Sequence, residues 1–211
     1  MARVIADNNA NSDKKPRAEK ITEGSKVCSV LGHYFQTINS NKYLCVGYVV
    51  IDQLDTNPEE SEVGCIHIEK MLIRDTVAWK HSKWAGALGF VGGYDNENHA
   101  DIQRVILGCD AVRVTFKNYE YEYNGEERSR LEIGDMRPIK DELNIVDGVV
   151  QLSEFHHKVV TSAEEGFGKI VKYRKDSGEI IDSPPANLVI SDGNDDIDRL
   201  ISKAEKDGIP F

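Results

Sequence analysis

The chain has 211 residues, a formal net charge of −10, 40% hydrophobic and 29% charged residues. That suffices for one packed domain with appendages, and no apolar run approaches the ~20 residues of a membrane-spanning helix. A pI near 5.1 argues against a conventional duplex-DNA binder, which carries a basic footprint. It does not exclude a single-strand binder, where aromatic stacking supplies part of the affinity.

Residues 1–22 are polar, basic in places (Lys14, Lys15, Arg17, Lys20) and without apolar periodicity, so they read as a flexible arm. Met1–Asp7 has neither the apolar stretch nor the cleavage site of a signal peptide, and a cytoplasmic location is expected. Cys28, Cys45, Cys65 and Cys109 are widely spaced and contain no C-x-x-C pair. Zinc sites usually draw two ligands from close in sequence, so these are read as reduced, mostly buried thiols on strands.

Val27–Leu31 and His33–Ile38 are strand-like, and the turn formers Asn39-Ser40-Asn41 separate them from a strand over Lys42–Ile51. Asp55–Glu62 is an acidic loop, and Gly64–Ile73 restarts as a strand with Ile66 and Ile68 opposite His67 and Glu69. Asp75-Thr76 is a candidate N-cap for a helix in which Val77, His81, Trp84, Leu88 and Val91 share one side, with Gly92-Gly93 as its stop. Trp79, Lys80 and Lys83 lie on the other side. A second helix is expected over Ala100–Leu107, ending at Gly108.

Asn124-Gly125 between strand-like flanks is the strongest short hairpin signal, a two-residue type I′ turn. It sets Tyr123 opposite Glu126, Tyr121 opposite Arg128, Tyr119 opposite Arg130 and Lys117 opposite Glu132. Because side chains alternate, Val112, Val114, Phe116, Leu131 and Ile133 form a core face. Arg113, Lys117, Tyr119, Tyr121, Tyr123, Arg128 and Arg130 collect on the other, which is the composition of a base-stacking, phosphate-tracking platform. A bulge near Asn118 would instead turn the tyrosines into the core.

Beyond Pro138 the pattern weakens, and Val146–Leu152, His156–Thr161 and Lys169–Tyr173 read as strands or as an extension packed on the rest. From Asp176 onward nine Asp/Glu face three Lys/Arg, so residues 183–211 form an acidic tail. It closes on Asp207-Gly208-Ile209-Pro210-Phe211, an apolar tip with a free carboxylate, suited to a partner pocket that pairs an apolar slot with a cation.

No catalytic residue, metal site or cofactor is expected. Gly86–Gly92 lacks the Gly-Lys-Ser/Thr ending of a phosphate loop. His156-His157 reads as a surface pair, Ile68-Glu69-Lys70 has no accompanying acid set, and no nucleophile elbow appears.

Short strands, a helical insertion before a long hairpin and no βαβ rhythm make this a mainly β chain and suggest an OB-fold over residues 23–182, with a C-terminal extension. Glu23-Gly24, the Trp79–Gly93 segment and Gly108–Ile139 resemble phage-encoded single-stranded DNA-binding proteins. The tip Asp207, Ile209, Pro210, Phe211 resembles the acidic Asp-Ile-Pro-Phe ending of bacterial single-stranded DNA-binding proteins, with Gly208 where that family has its acid. The resemblance implies a protein that coats single-stranded DNA in replication, recombination or repair, in a bacterial host's cytoplasm if phage-encoded. It also implies recruitment of partner proteins through the tip. A homodimer is left open. The alternatives are a metal-dependent nuclease or other nucleic-acid enzyme on an OB-like scaffold, and a protein-interaction adaptor that touches no DNA.

Overall fold

The computed structural model describes residues 21–53, 62–140, 143–146 and 149–185. Its organising strand is β1 (Gly24–Ile38), which three others flank. β2 (Asn41–Gln53) runs back along nearly all of it. β4 (Val112–Tyr123) takes the other edge at Gly24–Cys28, and β8 (Ile180–Asp182) takes that edge at Phe35–Thr37. β3 (Ile66–Leu72) pairs with β2 and β5 (Glu126–Pro138) with β4, giving the antiparallel order β3-β2-β1-β4-β5. Between β3 and β4 stand a 3-10 turn (Asp75–Val77), α1 (Ala78–Ala87) and α2 (His99–Leu107). A five-stranded sheet in this order, curling on itself but unpaired between β3 and β5, is an OB-fold left open at one seam. The expected mainly β class and helical insertion are therefore present. A two-stranded ribbon (β6, Ile145–Val146; β7, Val149–Val150) and α3 (Glu154–Asp176) complete the described chain.

Local chemistry explains these elements. Asn39 and Ser40 both adopt positive φ (48° and 64°), closing β1 onto β2 by a two-residue turn. The two segments expected on either side of Gly32 are one strand, interrupted by a bulge between Val30 and Gly32 where Gly32 reaches φ 144°. Inside the barrel Leu44, Val46, Tyr48, Val50, Val112 and Val114 are fully buried. Trp84 of α1 closes one end, its Nε1–H donating to Tyr48 Oη at 2.8 Å. α2 adds Ile102 and Val105, starting from Asn98, whose side chain accepts from the amides of Ala100 and Asp101.

Several expectations need correction. α1 ends at Ala87, with Gly89 in the left-handed region (φ 82°), and Val91 is 94% exposed beyond it. Its apolar spacing is continued by chance past the true stop. Neither Asp75 nor Thr76 caps it; the residue before the 3-10 turn is Arg74, with no side-chain cap. Of the acidic loop, residues 54–61 lie outside the described residues, but Glu62 is buried, its Oε2 3.2 Å from the equally buried Lys26 Nζ. Its Oε1 accepts from the amide and hydroxyl of Thr22.

The largest difference is α3. His156–Thr161 and Lys169–Tyr173 are helix, not strand. Ser153 caps it, accepting from His156 N while His156 Nδ1 accepts from Ser153 N. Ala163 and Phe167 are buried against the outer face of the sheet. There Gly32 and Gly47 stand opposite each other across β1 and β2, and the Phe167 ring rests on both. A Cβ at Gly47 would lie 2.5 Å from Phe167 Cε2, so Gly47→Ala must displace the Phe167 ring by which α3 rests on this face. It is expected to lower stability by about 1–3 kcal/mol, as overpacking does, read as a drop in urea midpoint. A midpoint equal to that of the native chain would mean α3 does not bear on this face.

A second measurable consequence follows from His33. This buried ring shares a hydrogen bond with His99 Nδ1 (2.9 Å from its Nε2), and His99 Nε2 lies 3.2 Å from Asp182 Oδ2, so the group links β1, α2 and β8. Burial, aided by the neighbouring His99, lowers its pKa from 6.5 to about 4. The fold thus keeps His33 neutral where the unfolded chain would protonate it. Its contribution is intact above pH 6.5 and lost as pH falls towards 4. Stability is expected to drop by about 3 kcal/mol over that window from this group alone. Urea titrations at several pH values check it: His33→Gln should flatten that part of the slope, and an unchanged slope refutes the assignment.

Candidate nucleic-acid interface

The β4–β5 hairpin leaves the barrel past Phe116, where pairing with β1 ends at Gly24. Asn124 (φ 54°) and Gly125 (φ 77°) form its turn, and the pairs are Tyr123–Glu126, Tyr121–Arg128, Tyr119–Arg130 and Lys117–Glu132. Val112, Val114 and Phe116 point into the core, with Leu131 and Ile133 packed against it. A bulge does occur, but it lies between Thr115 and Phe116 and places the extra residue, Gly134, in β5. The alternation therefore survives, and the tyrosines face solvent.

On that face Tyr119 and Tyr123 are more than half exposed and Tyr121 about a third. The Tyr119 and Tyr121 rings are near parallel, 19° apart in plane with centroids at 6.5 Å. The Arg130 guanidinium sits 5.5 Å from both rings, and that of Arg128 sits 5.0 Å from Tyr123. Each arginine also meets a carboxylate of its own strand: Arg128 with Glu126 at 2.9 Å, Arg130 with Glu132 at 2.5 Å. Lys117 lies across the bulge, its methylenes filling the space that the missing side chain of Gly134 leaves. Arg113 is at the foot of the same face, opposite Arg137. It is six residues, or about 20 Å of extended chain, from Tyr119, so it is not part of the aromatic cluster. The reverse face of the projecting hairpin carries Glu120, Glu122 and Glu127, without a cation among them. One side thus carries the tyrosines and arginines, with Glu126 and Glu132 paired to those arginines, and the other carries carboxylates without cations.

The seam between β3 and β5 forms a second surface. It is a groove of about 770 Å³, bounded by β3, α1 and β5 and lined in part by Trp79, Lys80, Lys83, Lys70 and Arg130. Trp79 is 62% exposed, and Lys80 Nζ sits 5.7 Å from its ring. Lys83 reaches Asp135 at 3.2 Å and ties α1 to β5. Asp135 has its pKa lowered by Arg137 and Lys83, against the opposing effect of burial. Arg130 belongs to both surfaces; nine of the ten candidate residues lie on the projecting hairpin or along the adjoining groove, and Arg113, at the foot of the hairpin face, is the one set apart. Sequence reasoning missed Lys70 and His67. His67 packs edge-on against Phe116 at 5.1 Å and pairs with Glu69 at 3.3 Å. The alternation along β3 was visible, but not that its far edge would stay open.

The tip residues Asp207, Ile209, Pro210 and Phe211, the arm 1–20 and the tail from 186 lie outside the described residues. Among the described residues no group of three or more His, Cys, Asp or Glu is placed to hold a metal ion, and no helix is long and apolar enough to cross a membrane. None of the four cysteines forms a disulfide. Burial pushes the Cys28 thiol far up and those of Cys45 and Cys109 up to about 11, so all three stay protonated and weakly nucleophilic at neutral pH.

No protein-family model matches the chain, and no curated protein sequence matches it. Among solved structures it is similar to yeast RPA bound to ssDNA, at 12% identity and a TM-score of 0.24, over 67% of this chain and 91% of that one. A likeness that slight carries no argument.

Proposed function

We propose that this chain is a non-enzymatic, sequence-tolerant single-stranded DNA-binding protein. The observation that carries the reading is the hairpin face, on which Tyr119, Tyr121 and Tyr123 stand exposed with Arg128 and Arg130 over their rings. Unpaired bases stack on such rings whatever their sequence, and the guanidiniums take phosphates. The hairpin joining strands 4 and 5 is one of the places where OB-folds bind oligonucleotides. Lys117 extends the face, and Trp79, Lys80 and Lys83 add a neighbouring aromatic and two cations. Arg113 contributes long-range attraction alone.

The finer reading is a coating protein of replication, recombination or repair, of the phage-encoded kind, that recruits host proteins through Asp207, Ile209, Pro210 and Phe211. It rests on two sequence resemblances: that of Glu23-Gly24, Trp79–Gly93 and Gly108–Ile139 to phage-encoded single-stranded DNA-binding proteins, and that of Asp207, Ile209, Pro210 and Phe211 behind an acidic segment to the bacterial tip.

Oligo-dT is expected to bind far more tightly than duplex of equal length, with affinity falling as salt rises. Tyr119→Ala and Tyr121→Ala should each cost about 1–3 kcal/mol of binding while leaving the urea midpoint nearly unchanged, because exposed side chains contribute little to stability. Equal affinity for duplex and single strand would sink the reading.

The tail makes a separate expectation. Removing residues 186–211 takes away negative charge, so DNA affinity should hold or rise, most at low salt. Removing Phe211 alone should abolish capture of host replication and repair proteins and leave DNA affinity unchanged. Capture that does not depend on Phe211 would dismiss the tip.

A further inference from the structure

OB-folds commonly take oligonucleotides across the outer face of strands 2 and 3, and in this chain that face is covered. Ile66 of β3 lies against α3 where Gly166 lets the helix approach; a Cβ on Gly166 would stand 3.1 Å from Ile66 Cδ1. Ile68 and Cys45 lie in one cluster with Phe167 and Val171. The cover is anchored further along, where Arg174 donates to Tyr34 Oη at 2.7 Å, and β8 then pairs with β1. A strand that stacks on the hairpin tyrosines therefore meets a helix where the usual path would continue. The hairpin's own reverse face is closed to phosphates by Glu120, Glu122 and Glu127.

The open seam remains. It adjoins the tyrosine face through Arg130, which lies over Tyr119 and Tyr121 and also lines the groove. Its volume of about 770 Å³ is within the ~300–1,000 Å³ of sites that enclose small ligands. Its acids are already matched by cations or by a histidine: Glu132 by Arg130, Asp135 by Lys83 and Arg137, Glu69 by His67. Lys70 and Lys80 make no ion pair among the described residues, so the lining presents uncommitted positive charge beside an exposed indole.

Resting on the single-strand reading above, we infer that the β3/β5 seam is a second base-binding compartment. The strand leaves the tyrosine face at Arg130 and enters the groove, where Trp79 stacks a base and Lys80 and Lys70 take the flanking phosphates. The path bends around the barrel's open side and leaves α3 in place.

The two tryptophans separate the outcomes. Trp84 is buried behind Tyr48 and Trp79 is exposed, so an emission change that disappears in Trp79→Phe reports the seam. On titration with oligo-dT, Trp79 emission is expected to be quenched. Trp79→Ala should lower affinity on the order of tenfold, and Lys70→Glu should lower it several-fold and reduce the salt slope. Binding that still needs Tyr119 and Tyr121 but leaves Trp79 emission and the Lys70→Glu variant unaffected overturns the seam and spares the hairpin. So does a gain in affinity in Phe167→Ala, measured well below its melting temperature, because it would place the strand under a loosened α3. No binding by the native chain removes both proposals together.

Discussion

How far β1 stays paired with β4 decides what the rest of the molecule can do. The two strands part after Gly24 and Phe116, and the next free amide of β4, at Asn118, donates to the Glu23 carboxylate at 2.6 Å. Up to that point β4 and β5 are barrel wall, with Val112, Val114 and Phe116 in the core. Beyond it the same two strands become a free-standing ribbon with two solvent faces, and side chains that would otherwise be core or rim become available to a ligand. The boundary is held from the other side by the buried Lys26–Glu62 pair, two residues into β1. Neither charge could remain there alone, since breaking a buried pair costs about 3–5 kcal/mol. The start of β1, the end of the acidic loop and Thr22 are thereby bound together next to the hairpin's root.

The arginines of the ribbon are held but not locked. Arg128 and Arg130 each have a carboxylate partner and an aromatic ring. Exposed ion pairs of this kind contribute only about 0–1 kcal/mol, so a phosphate can replace Glu126 or Glu132 at small cost. The rings meanwhile keep the guanidiniums close to where a stacked base would bring its backbone. On the proposed reading, an acidic chain meets an anionic ligand on a face where each arginine has a carboxylate to exchange, while Glu120, Glu122 and Glu127 stand on the hairpin's reverse side.

Much of this was legible because it is local. Asn124-Gly125 sets a register, the register assigns faces, and the apolar residues of both strands agree on which face is core; the structure reproduces that chain of reasoning residue by residue. What could not be read depends on partners distant in sequence. The β-branched Val159-Val160-Thr161 and the glycines Gly166 and Gly168 speak against a helix by intrinsic propensity. α3 is helical because Ala163 and Phe167 find the glycine-paired face of β1 and β2, more than a hundred residues earlier in the chain. Glu62 looked like one more acid of a solvated loop, and only the buried Lys26 makes it otherwise. Val91 continued an apolar spacing that the backbone abandons at Gly89.

The open seam raises a problem that its own side chains address. An unclosed barrel leaves two edge strands, β3 and β5, with backbone groups ready to pair with another chain, and exposed edges invite aggregation. Here α1 stands beside the gap, tied to β5 by Lys83 and Asp135. The edge of β5 carries Arg130, Glu132 and Asp135, and that of β3 carries Glu69 and Lys70. Charges on an edge discourage strand addition, because a docking strand would have to strip water from them without repaying it. A polyanion faces no such penalty at the cations, since its phosphates replace the lost water directly. On the inference drawn above, the charges that keep the seam from joining another sheet are the ones nucleic acid would meet on entering it, so one set of side chains answers both the edge problem and the ligand.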